Sequence, residues 1–175
     1  MKEQLEYTKT RMVNNPSIGT KGSAGLDLFV PKFTRQFLSD FCNKNTSLSD
    51  YYSYQMLDTK EFILKPQKRI LIPSGIHFKL PVNTVLIGFN KSGVSTKKGL
   101  DMLACVIDED YQGEVHISLL NTSDEVVRIK EDEKIAQYVL LPRIHFDFLI
   151  HPSTTSLYKN AKSERKENGF GSTNK

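Results

Sequence analysis

The strongest constraint on this chain is a rhythm of short apolar segments broken by turn-forming residues. The segments run at Leu26–Val30, Glu61–Leu64, Arg69–Ile72, Ile76–Leu80, Val85–Asn90, Val115–Asn121, Val126–Ile129, Ile135–Leu141 and Ile144–Ile150. Each has strand length and is rich in β-branched or aromatic residues. Between them stand Pro66-Gln67, Pro73-Ser74-Gly75, Pro81-Val82-Asn83, Asn121-Thr122-Ser123-Asp124 and Lys130-Glu131-Asp132. These residues supply preset or left-handed backbone angles and end a strand. Long helical patterns do not alternate with the strands, so a βαβ fold is excluded. An all-β sandwich or barrel-like domain is expected, and 175 residues suffice for one such domain with its own core.

One stretch breaks the rhythm. Lys32–Lys60 carries Phe33, Phe37, Leu38 and Phe41, spaced as one apolar face of a helix, followed by Tyr51, Tyr52 and Tyr54. A short helix plus loop inserted between strands is expected. Its aromatics would cap the sheet or, alternatively, present a partner-binding surface.

Composition narrows the function. At 38% apolar and 25% charged residues the chain is neither a disordered tail nor a membrane protein. No apolar run nears the roughly 20 residues of a spanning helix. The opening Met1-Lys2-Glu3-Gln4-Leu5-Glu6 lacks an apolar core, so no secretory signal is expected. The cysteines are Cys42 and Cys105, with no Cys/His cluster at metal-ligand spacing, which argues against a disulfide scaffold or structural zinc and for a cytoplasmic, reducing setting. The net charge of +4 is spread through the chain and suits a small anionic ligand as well as nucleic acid.

Several segments have the residue types of a nucleotide site. Gly22-Ser23-Ala24-Gly25-Leu26-Asp27-Leu28 brings small residues and one acid into a strand, which permits close backbone approach. Asn90-Lys91-Ser92-Gly93-Val94-Ser95-Thr96-Lys97-Lys98-Gly99 reads as a loop whose cation, hydroxyls and amides can cradle phosphate, without P-loop spacing. Val106-Ile107-Asp108-Glu109-Asp110-Tyr111-Gln112-Gly113-Glu114-Val115 clusters carboxylates that can serve as a general base or recruit a divalent cation; a polar hairpin tip is the plainer alternative. Arg165 and Gly169-Phe170-Gly171-Ser172-Thr173 suit a mobile lid: Phe170 to cover a flat ring, the hydroxyls and Arg165 for phosphate oxygens. His77, His116, His145 and His151 lack ligand pairing and are expected to be structural or surface residues.

These segments in this order, with Glu133-Lys134-Ile135-Ala136-Gln137, resemble the five motifs of the trimeric dUTP pyrophosphatase (dUTPase) family, over Gly22–Thr173. The Lys91-Ser92-Gly93 motif and the insertion resemble its viral or phage branch. The resemblance implies a distorted β-barrel or jelly-roll-like fold, with a β domain at 1–158, the helical insertion at 32–60 and a lid at 159–175. It implies hydrolysis of dUTP to dUMP and pyrophosphate by water attack on the α-phosphorus, limiting uracil in DNA and supplying dUMP for dTMP synthesis. Asp108 would be the general base. Tyr111 would pack under the deoxyribose and exclude a 2′-hydroxyl. The hairpin through Leu103, Val106 and Ile107 would read uracil largely by main-chain groups. Lys91, Ser92, Gly93 and Gln137 would bind phosphate, Arg165 the γ-phosphate, Phe170 and Gly171 would close over the base, and Ser172 and Thr173 over the phosphates. Asp27 would support Mg²⁺ through water, the ion being held mostly by the substrate. A homotrimer with shared sites is implied, and a protein partner at the insertion is a further possibility.

The chain departs from the family pattern at several positions. Lys91 stands where arginine is usual, and a point charge replaces a bidentate fork. Leu103, Cys105, Asp132, Lys166, Asn168 and Asn174 stand where glycine is usual. Three other readings compete: a dCTP deaminase of the same fold, a nucleotide-sensing regulator, and nucleic-acid binding through the basic tail, which carries no stacking pattern.

Overall fold

The computed structural model describes residues 4–46 and 56–163. The chain divides into two compact units, Met1–Ile144 and His145–Lys175. The first unit carries all the strands: β1 Glu6–Lys9, β2 Ser17–Ile18, β3 Leu26–Phe29, β4 Glu61–Leu64, β5 Arg69–Pro73, β6 Ile76–Lys79, β7 Thr84–Phe89, β8 Leu100–Ala104, β9 Val106–Ile107, β10 His116–Asn121, β11 Val127–Lys130 and β12 Lys134–Pro142. It also carries the helices α1 Arg35–Lys44 and α2 Ser92–Lys98. The expected all-β class holds.

Every strand pairing is antiparallel. The largest sheet has the order β2-β3-β12-β7-β9, a second is β5-β10-β8, and β1-β6 and β11-β4 form two ribbons. The strands do not close into one barrel ring among the described residues. Alternation places Leu86 of β7, Ile117 and Leu119 of β10 and Tyr138 of β12 in the core, with Ile70 and Ile72 of β5 and Ile129 of β11.

The insertion folds as its spacing predicts. Thr34 caps α1 by accepting from the Phe37 N–H at 3.2 Å. Phe33, Phe37 and Phe41 stack in series and meet Phe62 of β4, with Phe41 and Phe62 centroids 5.2 Å apart. Asn45 ends the helix and ties it to β5: its Nδ2 donates to Leu71 O and its Oδ1 accepts from Leu71 N, both at 2.8 Å. These aromatics are therefore core, not surface. Tyr51, Tyr52 and Tyr54 lie outside the described residues.

Elsewhere the structure corrects the expectations. Ser92–Lys98 is a helix rather than a loop, ended by Gly99 in the left-handed region at φ 63°. Gly93, Val94 and Thr96 are weak helix formers, which hid it. Ile144–Ile150 is not a strand: it makes no ladder pairing among the described residues, and its apolar side chains are exposed. Its alternation builds an apolar face with no strand alongside it there. The second unit otherwise holds a short helix, α3 Thr154–Leu157, opened by a Ser153 capping box. No described helix is long and apolar enough to cross a membrane.

Candidate functional site

The central strand β12 sets Gln137 opposite Asp27 of β3 on one side and Phe89 of β7 on the other. This register gathers the phosphate-side residues at one end of the large sheet. Asp27 is only 5% exposed. Its Oδ1 accepts from the Lys91 ammonium at 2.8 Å and its Oδ2 from the Lys134 ammonium at 3.0 Å. Burial pushes the Asp27 carboxyl up, but the two ammonium groups overcome it and hold it below the usual carboxylate range. Lys134 also lies 5.4 Å over the Phe29 ring.

Gln137 packs against Gly25, where a Cβ would stand 2.8 Å from Gln137 Oε1. Its Nε2 donates to Asn90 O at 2.8 Å. Beyond Asn90, Lys91 is the N-cap of α2, and Ser92 and Gly93 open its first turn. N–H groups there point out of the helix. A Cβ on Gly93 would meet nothing within 4 Å, so the protein leaves room beside it.

The residues expected to read the base run alongside β7, from Leu103 near Asn90 to Ile107 opposite Leu86. Ile107 of β9 is opposite Leu86, and Gly88 N donates to Cys105 O at 2.7 Å. Leu103 and Val106 are exposed. Tyr111 N donates to Asp108 O at 3.2 Å, which closes the turn at the hairpin tip. The Tyr111 hydroxyl donates to Glu114 O at 3.0 Å, and the ring lies across Gly113, where a Cβ would be 2.4 Å from that hydroxyl oxygen. Glu109 anchors the tip by accepting from Asn83 N at 2.9 Å and the Arg143 guanidinium at 3.1 Å. The Asp108 carboxylate makes no hydrogen bond or ion pair among the described residues.

A partly buried ion pair braces this loop. Arg11 grips Glu114 through Nε at 2.7 Å and Nη2 at 3.0 Å and reaches Asp40 of α1 at 2.7 Å, while Gly75 N donates to Glu114 Oε1 at 2.7 Å. Burial raises the Glu114 carboxyl, and Arg11 and the Gly75 amide outweigh it, so it sits below the usual range. Two histidines sit against main-chain carbonyls: His77 Nδ1 is 3.0 Å from Gln112 O and His116 Nδ1 is 2.8 Å from Glu114 O.

The structure thus brings together Asp27, Lys91, Ser92, Gly93 and Gln137, and separately Leu103, Val106, Ile107, Asp108 and Tyr111. The rungs at Leu86 and Phe89 are about 10 Å apart, with Asp108 beyond one and Lys91 beyond the other. Arg165, Phe170, Gly171, Ser172 and Thr173 lie outside the described residues, as do Lys166, Asn168 and Asn174. Sequence reasoning passed over the bracing Arg11 and the amide of Asn90, and it gave Lys134 no role. Spacing hid Lys134: three residues before Gln137 it falls on the opposite face of a regular strand, and the register irregularity between Lys134 and Ala136 is not legible in the sequence.

Asp132, in the turn between β11 and β12, has φ 61°, the left-handed region that favours glycine. Its carboxylate pairs with Lys32 and accepts from Asn14 Nδ2 at 3.0 Å.

Comparison with known proteins places the chain by sequence and fold. The dUTPase family model matches residues 40–174. The deoxyuridine 5'-triphosphate nucleotidohydrolase of Bdellovibrio bacteriovorus is 36% identical over 113 residues, 63% of this chain and 72% of that protein. Among solved structures, the Staphylococcus bacteriophage 80alpha dUTPase with dUpNHpp has a TM-score of 0.70 at 21% identity, covering 97% of both chains. A mutant dUTPase from phage phi11 of S. aureus, described for its coordination of a structural Mg(II) ion, has a TM-score of 0.63 at 18% identity, covering 87% of this chain and 99% of that one. Matched by the family model over most of its length and by this jelly-roll-like fold, the chain belongs to the dUTPase family.

Proposed function

We propose that this chain is a dUTP diphosphatase, hydrolysing dUTP to dUMP and pyrophosphate. The observation that carries the reading is Asp108: a carboxylate without a partner among the described residues, at a hairpin tip beside Tyr111, on the sheet that carries a lysine-rich phosphate end. Asp108 takes a proton from the water that attacks the α-phosphorus. Tyr111, its ring held over Gly113, packs against the deoxyribose. Main-chain groups through Leu103, Val106 and Ile107 read uracil. Lys91, the first-turn amides at Ser92 and Gly93, and Gln137 hold phosphate oxygens and stabilise developing charge. Arg165, Phe170, Gly171, Ser172 and Thr173 complete and cover the site.

The residues fit Mg²⁺ in one respect only. Both Asp27 oxygens already accept from ammonium groups, so this acid suits an ion whose inner ligands are phosphate oxygens and water. Bound so, the ion neutralises phosphate charge. The phage phi11 relative offers a parallel with its structural Mg(II).

Homotrimeric assembly with shared sites belongs to the same proposal. The β7 rungs beside Asp108 and Lys91 are about 10 Å apart, within the span of one nucleoside triphosphate, so the shared-site assembly is supported by the family match. A regulatory partner at the insertion is the second reading. Because Phe37, Leu38 and Phe41 are buried, its contact would fall on other residues of that segment. The thiols of Cys42 and Cys105 suit a reducing, cytoplasmic location.

The test is pyrophosphate release from dUTP, dCTP, dTTP and UTP, with and without Mg²⁺. Turnover of dUTP alone is expected. Ammonia release from dCTP would replace the reading with deamination, and dUTP binding without turnover would favour the regulator.

A further inference from the structure

We propose that Asn90 is a positioning residue that fixes the phosphate-side segment Lys91-Ser92-Gly93 against the strand leading into the base hairpin. The inference rests on the dUTPase reading and goes beyond it.

Strand pairing joins β7 to the base hairpin at β9, and Gly88 N donates to Cys105 O, but no ladder joins β7 to β8. β7, which ends just before Asn90, pairs with β12 and β9, whereas β8 belongs to the other sheet beside β10. Asn90 spans the gap with its side chain. Its Oδ1 accepts from Met102 N at 2.7 Å and its Nδ2 donates to Asp101 Oδ1 at 2.5 Å. Its carbonyl accepts from Gln137 Nε2 at 2.8 Å. One residue thus ties together β8, β12 and the start of α2. The carboxamide is suited to this because it sets an acceptor and a donor side by side. Aspartate would keep the bond from Met102 N but would face Asp101 with a second carboxylate.

Asn90 is exposed, so its bonds contribute little to global stability, and their effect falls on geometry. The lysine, serine and glycine that follow it reach phosphate only from where Asn90 holds the chain. The strand through Asp101 and Met102 continues into Leu103 and the base hairpin.

A four-protein cycle tests this: the unaltered chain, Asn90→Asp, Asp101→Asn, and the double variant. Asp101→Asn keeps an acceptor for Asn90 Nδ2 and is expected to leave kinetics unchanged. Asn90→Asp is expected to raise KM for dUTP about tenfold with kcat within about twofold, the pattern of lost positioning in binding. The double variant exchanges donor and acceptor between the two positions and is expected to restore KM. The Asn90→Asp defect is also expected to shrink as pH falls, because two facing carboxylates share a proton. Thermal unfolding midpoints are expected to agree across the four.

An unchanged KM in Asn90→Asp, or a double variant no better than the single, overturns the proposal. Failure of the dUTPase reading is separate: it appears as no dUTP turnover by the unaltered chain. In that event amide exchange at Met102 decides the positioning role. Asn90→Ala is expected to speed it about tenfold if Asn90 holds that amide, and unchanged exchange overturns the proposal.

Discussion

The Lys91 ammonium donates to Asp27 Oδ1 at 2.8 Å, so the motif that follows β7 is held electrostatically by an acid on β3. The other Asp27 oxygen holds Lys134. One buried carboxylate therefore sets two cations at the phosphate end. Asp27→Asn would leave two ammonium groups close together without their shared anion. A fall in kcat/KM for dUTP of about 10–100-fold is expected, read by steady-state kinetics with saturating Mg²⁺. Asp27→Glu, which keeps the charge, should lose less.

Asp108→Asn keeps shape and removes basicity. Turnover should fall by about 10²–10⁴-fold, with nucleotide binding by calorimetry retained. Unchanged turnover would remove Asp108 from the proton-transfer role.

Gly113→Ala would place a Cβ where the Tyr111 hydroxyl stands, 2.4 Å from its oxygen. The ring must swing away and lose its bond to Glu114 O. Discrimination between dUTP and UTP should weaken by about tenfold or more, measured as the ratio of their kcat/KM values.

Glu114 supplies a pH dependence of stability. Its carboxyl is held below its ordinary value by Arg11 and Gly75 despite burial. A carboxylate depressed in the folded state contributes stability above its unfolded value and loses it as pH falls through the folded one. Unfolding midpoints should therefore drop on acidification below about pH 4.5, near the ordinary glutamate range, and Glu114→Gln should flatten that drop. Arg11→Ala at neutral pH should cost about 3 kcal/mol, since it leaves a largely buried carboxylate unpaired.

The Tyr138 hydroxyl is buried with no hydrogen-bond partner among the described residues, and burial, with a smaller push from Cys105, raises its pKa above the usual tyrosine range. The ring packs over Gly88, where a Cβ would be 2.9 Å from Tyr138 Cε1. Tyr138→Phe keeps that packing and removes an unsatisfied polar group. A gain of about 1 kcal/mol is expected, read by chemical denaturation.

Much of the core was legible because burial on one face of a strand imprints a period of two. β4, β5, β6, β7, β10 and β11 follow it closely, whereas β12 buries Ile135 and Ala136 in succession at a register irregularity. β1 was not legible, since all of Glu6–Lys9 is exposed and leaves no alternation. β8 was hidden by Asp101 and by the exposed Leu103, which interrupt its apolar run. The residues of the site could be named from motif order, but their geometry could not. That Lys91 and Lys134 converge on one acid, and that Asp108 sits beyond the opposite end of β7, depends on register between strands distant in sequence. The Ile144–Ile150 run shows the reverse: a strand-like pattern does not make a strand without an edge to pair with.

The helix α1 is an addition when the chain is compared with a minimal motif series, yet Phe33, Phe37, Phe41 and Met56 are sealed beneath it and Asn45 completes the outer edge of β5. It is not a module that can be cut away. Excision would remove Phe37 and Phe41, uncover Phe33 and Phe62, and leave both polar groups of Leu71 unpaired at once. Loop-trimming variants should therefore keep both Asn45 and Met56, each of which is buried. The segment owns a share of the interior, so a chain without it would need its neighbouring strands repacked at the same time.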